Sequence, residues 1–346
     1  MGTFVVEGGR PLSGTIEPQG AKNEALQILC AVLLTAEPVE ITNVPDIVDI
    51  NKLLQILEAL GVRIQKKSDN HYVFQADQIN FDYLKSDDFK SYGKKIRGSI
   101  MLVGPLLTRF GKAYIPRPGG DKIGRRRVDT HFDGLINLGA DFTYDRENHF
   151  YSVETDRLKG AYLLLDEASV TGTANLVMAA VLAEGTTTIY NAACEPYLQQ
   201  LCGMLNRMGA KISGVGSNRL TIEGVDSISG TTHRVLPDIV EIGSWIGLAA
   251  LTRSELTIKN VSWDNLGQIP SVFKKLGIRI EKREDDIYIP AHTDGYEVQS
   301  FIDGSIMTIS DAPWPGFTPD LISIILVVST QARGSVLIHQ KMFESR

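Results

Sequence analysis

Four copies of one short phrase, in which a helix gives way at a glycine to a strand, constrain this chain more than any other feature. They are Leu60-Gly61-Val62-Arg63-Ile64, Leu138-Gly139-Ala140-Asp141-Phe142, Met208-Gly209-Ala210-Lys211-Ile212 and Leu276-Gly277-Ile278-Arg279-Ile280, with glycines 78, 70 and 68 residues apart. Glycine just past the last apolar residue of a helix suits a left-handed C-cap, and each following segment alternates apolar and polar residues like a half-buried strand. One structural unit has been used several times.

Around each phrase the order reads strand, apolar helix, strand, amphipathic helix, glycine, strand pair. In the first copy, Gly14–Phe74, helices are expected over Ala25–Leu34 and Ile50–Leu60; the third, Gly160–Gly224, places a helix at Ala174–Ala183 before the β-branched run Thr186–Ile189. The stretches Ile28–Leu34, Leu176–Leu182 and Trp245–Leu251 are apolar nearly all round, which predicts helices buried on every side with sheets around them. Four complete units are expected. A fifth starts near Ser305 with a helix at Leu321–Ser329 and a strand at Ser335–His339, then stops at Arg346, so the chain is expected to be a C-terminally shortened version of a longer one. A length of 346 residues suggests two domains.

Chemistry concentrates at Pro118-Gly119-Gly120-Asp121-Lys122-Ile123-Gly124-Arg125-Arg126-Arg127, which with Arg117 sets three glycines and five cations around one carboxylate. Glycines let backbone N–H groups approach a ligand, and arginine forks match phosphate or carboxylate oxygens. The formal net charge is −6, so this is a local site for a small anion and not part of a nucleic-acid-binding face. Cys30, Cys194 and Cys202 show no metal-ligand spacing and read as reduced, mostly buried thiols suited to the cytoplasm. No leader pattern opens the chain and no apolar run approaches membrane-spanning length, so neither export nor membrane insertion is expected. Neither a His/Cys cluster nor a dinucleotide glycine fingerprint occurs, so no metal or organic cofactor is expected.

Five segments together carry a resemblance: Gly20-Ala21-Lys22-Asn23, the loop 118–127, Ser169-Val170-Thr171-Gly172-Thr173, Arg234-Val235-Leu236-Pro237-Asp238-Ile239-Val240-Glu241 and Phe317-Thr318-Pro319-Asp320. In this order, over essentially the whole chain, they resemble the UDP-N-acetylglucosamine 1-carboxyvinyltransferase family of enolpyruvyl transferases. The resemblance implies an α/β fold, an inside-out α/β barrel of two domains built from βαβαββ units. Residues 22–236 would form the first domain, of three units. Residues 1–21 with 237–346 would form an incomplete second domain, of about one and a half units.

The implied reaction adds the 3-hydroxyl of UDP-N-acetylglucosamine to C2 of phosphoenolpyruvate, protonates C3 and expels phosphate, in a monomeric cytoplasmic enzyme. By the same resemblance Lys22 holds phosphoenolpyruvate beside Asn23, and Arg97 contacts the sugar nucleotide. Arg126 holds substrate anions and, with Arg127, Val128, Asp129 and Thr130, forms the segment facing uridine and diphosphate. Ser169, Val170 and Thr171 join that contact, Met342 and Arg346 touch substrate, and Asp320 is the base for the sugar hydroxyl. His131 falls on a family position but reads equally as a satisfied structural histidine, and Asp238 and Glu241 read as structural or hinge carboxylates.

Two residues depart from the family pattern. Asp121 stands where a reactive cysteine, the proton donor and fosfomycin target, is usual; a carboxylic acid can donate the proton but forms no thioether. Glu167 stands where a lysine is common, placing a negative group toward the diphosphate or simply into water, and Arg127 replaces a frequent proline. Two other readings are open: 3-phosphoshikimate 1-carboxyvinyltransferase, whose first loop carries Lys-Ser where this chain has Lys22-Asn23, and a binding-only form of the same fold.

Overall fold

The computed structural model describes residues 3–119, 127–147 and 149–343, and the chain divides into two compact units, Gly20–Leu236 and Met1–Gln19 with Pro237–Arg346. The four repeated glycines have φ between 88° and 110°. At each, the glycine N–H bonds three residues back and the next residue's N–H bonds five back, as in Gly209 to Asn206 and Ala210 to Leu205. That is the Schellman closure of a helix, whose sign of φ only glycine adopts without strain.

In the larger unit the third copy runs in the expected order: strand Tyr162–Leu164, helix Val170–Ala180, strand Thr186–Tyr190, helix Pro196–Arg207, strands Lys211–Ser213 and Arg219–Glu223. Its sheet places the first strand parallel to the second, then the fourth and third antiparallel. The sheet of the first copy has the same order, but its leading position is filled by Thr231–Arg234, parallel to Val39–Thr42. In the smaller unit Ser13–Ile16 takes the equivalent place beside Glu255–Ile258. The first and fourth copies have thus exchanged leading strands, which a linear reading of the repeat does not reveal.

The second copy corrects the expectation of four complete units. Where the others begin with a strand, Phe81–Lys85 is a 3₁₀ turn and Asp87–Gly93 a helix, and the three-stranded sheet of Lys112–Pro116 has no parallel leading strand among the described residues. The local cause is Ser86, whose hydroxyl accepts the Phe89 N–H while Asp87 and Asp88 fill the first turn. Capping and dipole complementarity favour helix there.

Helices Lys22–Ala31 and Val170–Ala180 are buried along nearly their whole length, and Val103–Phe110 and Pro196–Arg207 pack against them with the sheets outside. Both begin earlier than expected, at Lys22 and Val170, because polar residues can occupy the first turn, where backbone N–H groups need no intrahelical partner. The other boundaries shift by a few residues, to Val48–Ala59, Ile322–Ser329 and Val336–His339. In the smaller unit helix Ile239–Leu251 is less enclosed than expected. Gly243 and Gly247 admit Leu321, Ile324 and Val328 on one side, while Trp245, Leu248 and Leu251 stay half-exposed. All three cysteines are free thiols; burial pushes the Cys30 thiol up and the Cys202 thiol up to about 12, and Cys194 is half-buried.

Candidate active site

Lys22 is the first residue of helix Lys22–Ala31, at the positive end of the helix dipole, where a cation is electrostatically disfavoured. Asp49 offsets this at 2.6 Å from Nζ, in a pair about one-third exposed on each side (39% and 33%). Asn23 follows, exposed to solvent. Below them Glu24 is fully buried and accepts from His233 Nε2 (2.8 Å) and the Leu236 N–H (3.1 Å), while Arg207 donates to His233 Nδ1 at 2.7 Å. Burial raises the Glu24 pKa, and the His233 and Leu236 hydrogen bonds oppose that rise. The chain Arg207–His233–Glu24 therefore anchors the turn that presents Lys22 to the segment closing this unit.

A second group gathers where helix Val170–Ala180 begins. The Ser169 hydroxyl accepts the Gly172 N–H, and helix geometry leaves the N–H groups of Val170 and Thr171 outside the intrahelical ladder. Thr130 sits against this turn, since a Cβ on Gly172 would lie 3.0 Å from its Cγ2. Arg97 donates through Nη2 to the Arg127 carbonyl (2.9 Å), and Arg127 Nε donates to Asp129 (3.0 Å). The Asp129 hydrogen bond, with Asp166 and Glu167 further off, raises the Arg127 pKa. Glu167 is exposed, yet it stands in the field of Arg127 rather than as an isolated negative charge. Arg97 opens the 3₁₀ segment Arg97–Leu102, and Leu26, one turn beyond Lys22, presses on the next residue, Gly98.

His131 is 1% exposed with both ring nitrogens engaged: Nδ1 faces Asn175 Nδ2 at 3.1 Å and Nε2 faces Thr171 Oγ1 at 3.2 Å. Burial, then the nearby Arg97 charge, lowers its pKa from 6.5 to about 3. The folded chain thus refuses a proton that the unfolded chain accepts below pH 6.5, so stability present above that pH is lost as pH falls toward 3. Between pH 7 and pH 5 His131 is expected to remove about 2 kcal/mol of stability. Urea unfolding at both pH values should show a pH difference larger by that amount in the unaltered chain than in His131→Asn; equal differences would refute it.

Asp320 and Met342 lie in the smaller unit. Asp320 is half-buried in the 3₁₀ turn Pro319–Leu321, whose cap is Thr318. Met342 is 37% exposed, on a segment held by Asp311, a fully buried carboxylate that accepts the Lys341 N–H (2.6 Å) and the Met342 N–H (3.2 Å). Asp238 caps helix Ile239–Leu251 and Glu241 accepts the Gln19 N–H, which gives both structural work. Asp121, Arg126 and Arg346 lie outside the described residues. Among the described residues no group of three or more His, Cys, Asp or Glu could hold a metal ion, and no helix is long and apolar enough to cross a membrane.

Sequence reasoning missed Asp49, Glu24, His233, Asn175 and Asp311. Glu24 left a faint signal as an acid opening an otherwise apolar buried helix, but its partner is 209 residues away.

Buried helices inside repeated sheets, with Lys22 at one helix start and Arg97 and Arg127 near another, describe the fold and its candidate site, and comparison with known proteins identifies its class. The family model of EPSP synthase (3-phosphoshikimate 1-carboxyvinyltransferase) matches residues 6–346, and the chain belongs to that family, the enolpyruvyl transferases with an inside-out α/β barrel. Within it, the UDP-N-acetylglucosamine 1-carboxyvinyltransferase of Bacteroides thetaiotaomicron is 65% identical over 346 residues, covering 100% of this chain and 80% of the relative. The protein of the same name from Porphyromonas gingivalis is 59% identical with the same coverage. Among solved structures, the enolpyruvyl transferase NikO from Streptomyces tendae superposes with a TM-score of 0.79 at 20% identity, over 96% of this chain and 76% of that one. EPSP synthase from Acinetobacter baumannii gives 0.70 at 16%, over 96% and 74%. At those identities the likeness concerns the fold.

Proposed function

We propose that this chain transfers the enolpyruvyl group of phosphoenolpyruvate to the 3-hydroxyl of UDP-N-acetylglucosamine, releasing phosphate, the step that opens peptidoglycan synthesis. The observation that carries this reading is the gathering of Arg97, Arg127 and Thr171 at the start of helix Val170–Ala180, in a chain whose relatives at 59–65% identity bear that enzyme's name. Open N–H groups at a helix start, beside guanidinium groups, favour a diphosphate. Lys22 then takes the phosphate of phosphoenolpyruvate, exchanging Asp49 for the substrate as partner.

Asp320 accepts the proton of the sugar hydroxyl as its oxygen attacks C2, and Asp121 delivers a proton to C3, leaving a tetrahedral phospho-adduct. Reforming the C2–C3 double bond returns a proton from C3 and breaks the bond from C2 to the phosphate oxygen, so phosphate leaves. Asn23, Arg126, Val128, Asp129, Thr130, Ser169, Val170, Met342 and Arg346 complete the contacts. Residues 22–236 serve as the first catalytic domain and 1–21 with 237–346 as part of the second, in a cytoplasmic monomer.

Phosphate release from phosphoenolpyruvate tests this directly. It is expected with UDP-N-acetylglucosamine and absent with shikimate 3-phosphate. The reverse preference would establish the shikimate reading, and tight binding of the sugar nucleotide without phosphate release would establish the binding-only one.

A further inference from the structure

Of the described residues given a task above, His131 is hydrogen-bonded through its imidazole to Thr171, and its proton can be placed by accounting for its neighbours. Asn175 Oδ1 accepts the Gly104 N–H at 2.7 Å, an approach possible because Gly104 has no Cβ to strike it. That contact turns the amide nitrogen the other way, where its two hydrogens go to the Ile100 carbonyl (3.1 Å) and to His131 Nδ1 (3.1 Å). A ring nitrogen facing a donor must present its lone pair, so the single proton of neutral His131 is on Nε2. Nε2–H therefore donates to Thr171 Oγ1, and the threonine hydroxyl must aim its own hydrogen away from the ring.

We propose that His131 is a positioning residue that, through Thr171, sets a hydroxyl donor at the start of helix Val170–Ala180 to bind the diphosphate of the sugar nucleotide. The inference rests on the functional reading above. Thr171 is half-exposed and in the second helical position, beside N–H groups outside the intrahelical ladder, so a donor there adds to what the backbone offers an anion. The buried line from Gly104 through Asn175 to His131 fixes the tautomer from within the core.

The direct test is the ¹⁵N spectrum of the full chain labelled at histidine: between pH 6 and 8 His131 should show a protonated Nε2 and a bare Nδ1. A proton on Nδ1 overturns the proposal. Titration with UDP-N-acetylglucosamine supplies the functional arm. Thr171→Val is expected to weaken binding by about tenfold or more, since the lost donor faces a charged acceptor, and Thr171→Ser to recover it to within about threefold. His131→Leu should match Thr171→Val, and the double variant should be no more than about twofold worse than either single one. The Michaelis constant for phosphoenolpyruvate and the turnover at saturating sugar nucleotide should change by less than about threefold, a split that general loosening of the core would not produce. Binding unmoved by Thr171→Val overturns the inference alone; no binding to the unaltered chain overturns the functional reading with it.

Discussion

Replacing Lys22 with alanine is expected to reduce kcat/KM for enolpyruvyl transfer by about a thousandfold, with little effect on folding. The first half follows from what the residue would do: a cation on the departing phosphate acts on charge that develops as the bond to C2 breaks, and removing one such group typically costs 10²- to 10³-fold or more. The second half follows from where it sits. The pair with Asp49 is only partly buried, and exposed ion pairs contribute about 0–1 kcal/mol. Removal of a cation from a helix N-terminus also relieves an unfavourable dipole interaction. Thermal unfolding should thus stay within a few degrees while phosphate release collapses. Activity within tenfold of the unaltered chain would remove Lys22 from the mechanism, and an equal collapse of the melting temperature would assign it to the fold.

Exchange of Asp121 for cysteine is expected to turn a chain that fosfomycin leaves unlabelled into one that it labels stoichiometrically. The drug's epoxide needs a soft nucleophile, and cationic neighbours such as Lys122 and Arg125 favour the thiolate of a cysteine placed among them. The carboxylate of Asp121 forms no thioether, but a carboxylic acid is able to deliver a proton, so under the proposed mechanism the unaltered chain is expected to keep its chemistry without the drug's point of attack. Asp121→Asn, which can do neither, is expected to cost 10²- to 10⁴-fold in turnover. Intact-mass measurement after incubation with the drug reads the outcome. An adduct of one drug per unaltered chain, or no adduct on Asp121→Cys, would overturn this assignment.

The repeated unit was legible because its marks are local. A helix that must end within one residue, and a strand that must follow, leave glycine and an alternating pattern in five consecutive positions, and the four resulting closures share one geometry. The helix starts at Lys22 and Val170 were less legible, since their polar first turns resemble loop when only apolar periodicity is read. The second copy misled for the opposite reason. Ser86, Asp87 and Asp88 are good capping residues, and that local preference replaced the strand its siblings form.

Sequence by itself determined what depends on neighbours in the chain: the glycine closures of the repeat, the two buried helices that start at Lys22 and Val170, the kinds of groups available to hold an anion, and an acid at position 121. Only the tertiary structure decided which of those groups meet. Glu24 and His233 are 209 residues apart, Asn175 and His131 are 44 apart, and the exchange of leading strands between copies one and four joins segments from opposite halves of the chain. Such pairings arise because a buried polar group must find its partner wherever packing brings one, at a cost of about 1–3 kcal/mol if it fails, and close packing acts through space without regard to separation along the backbone.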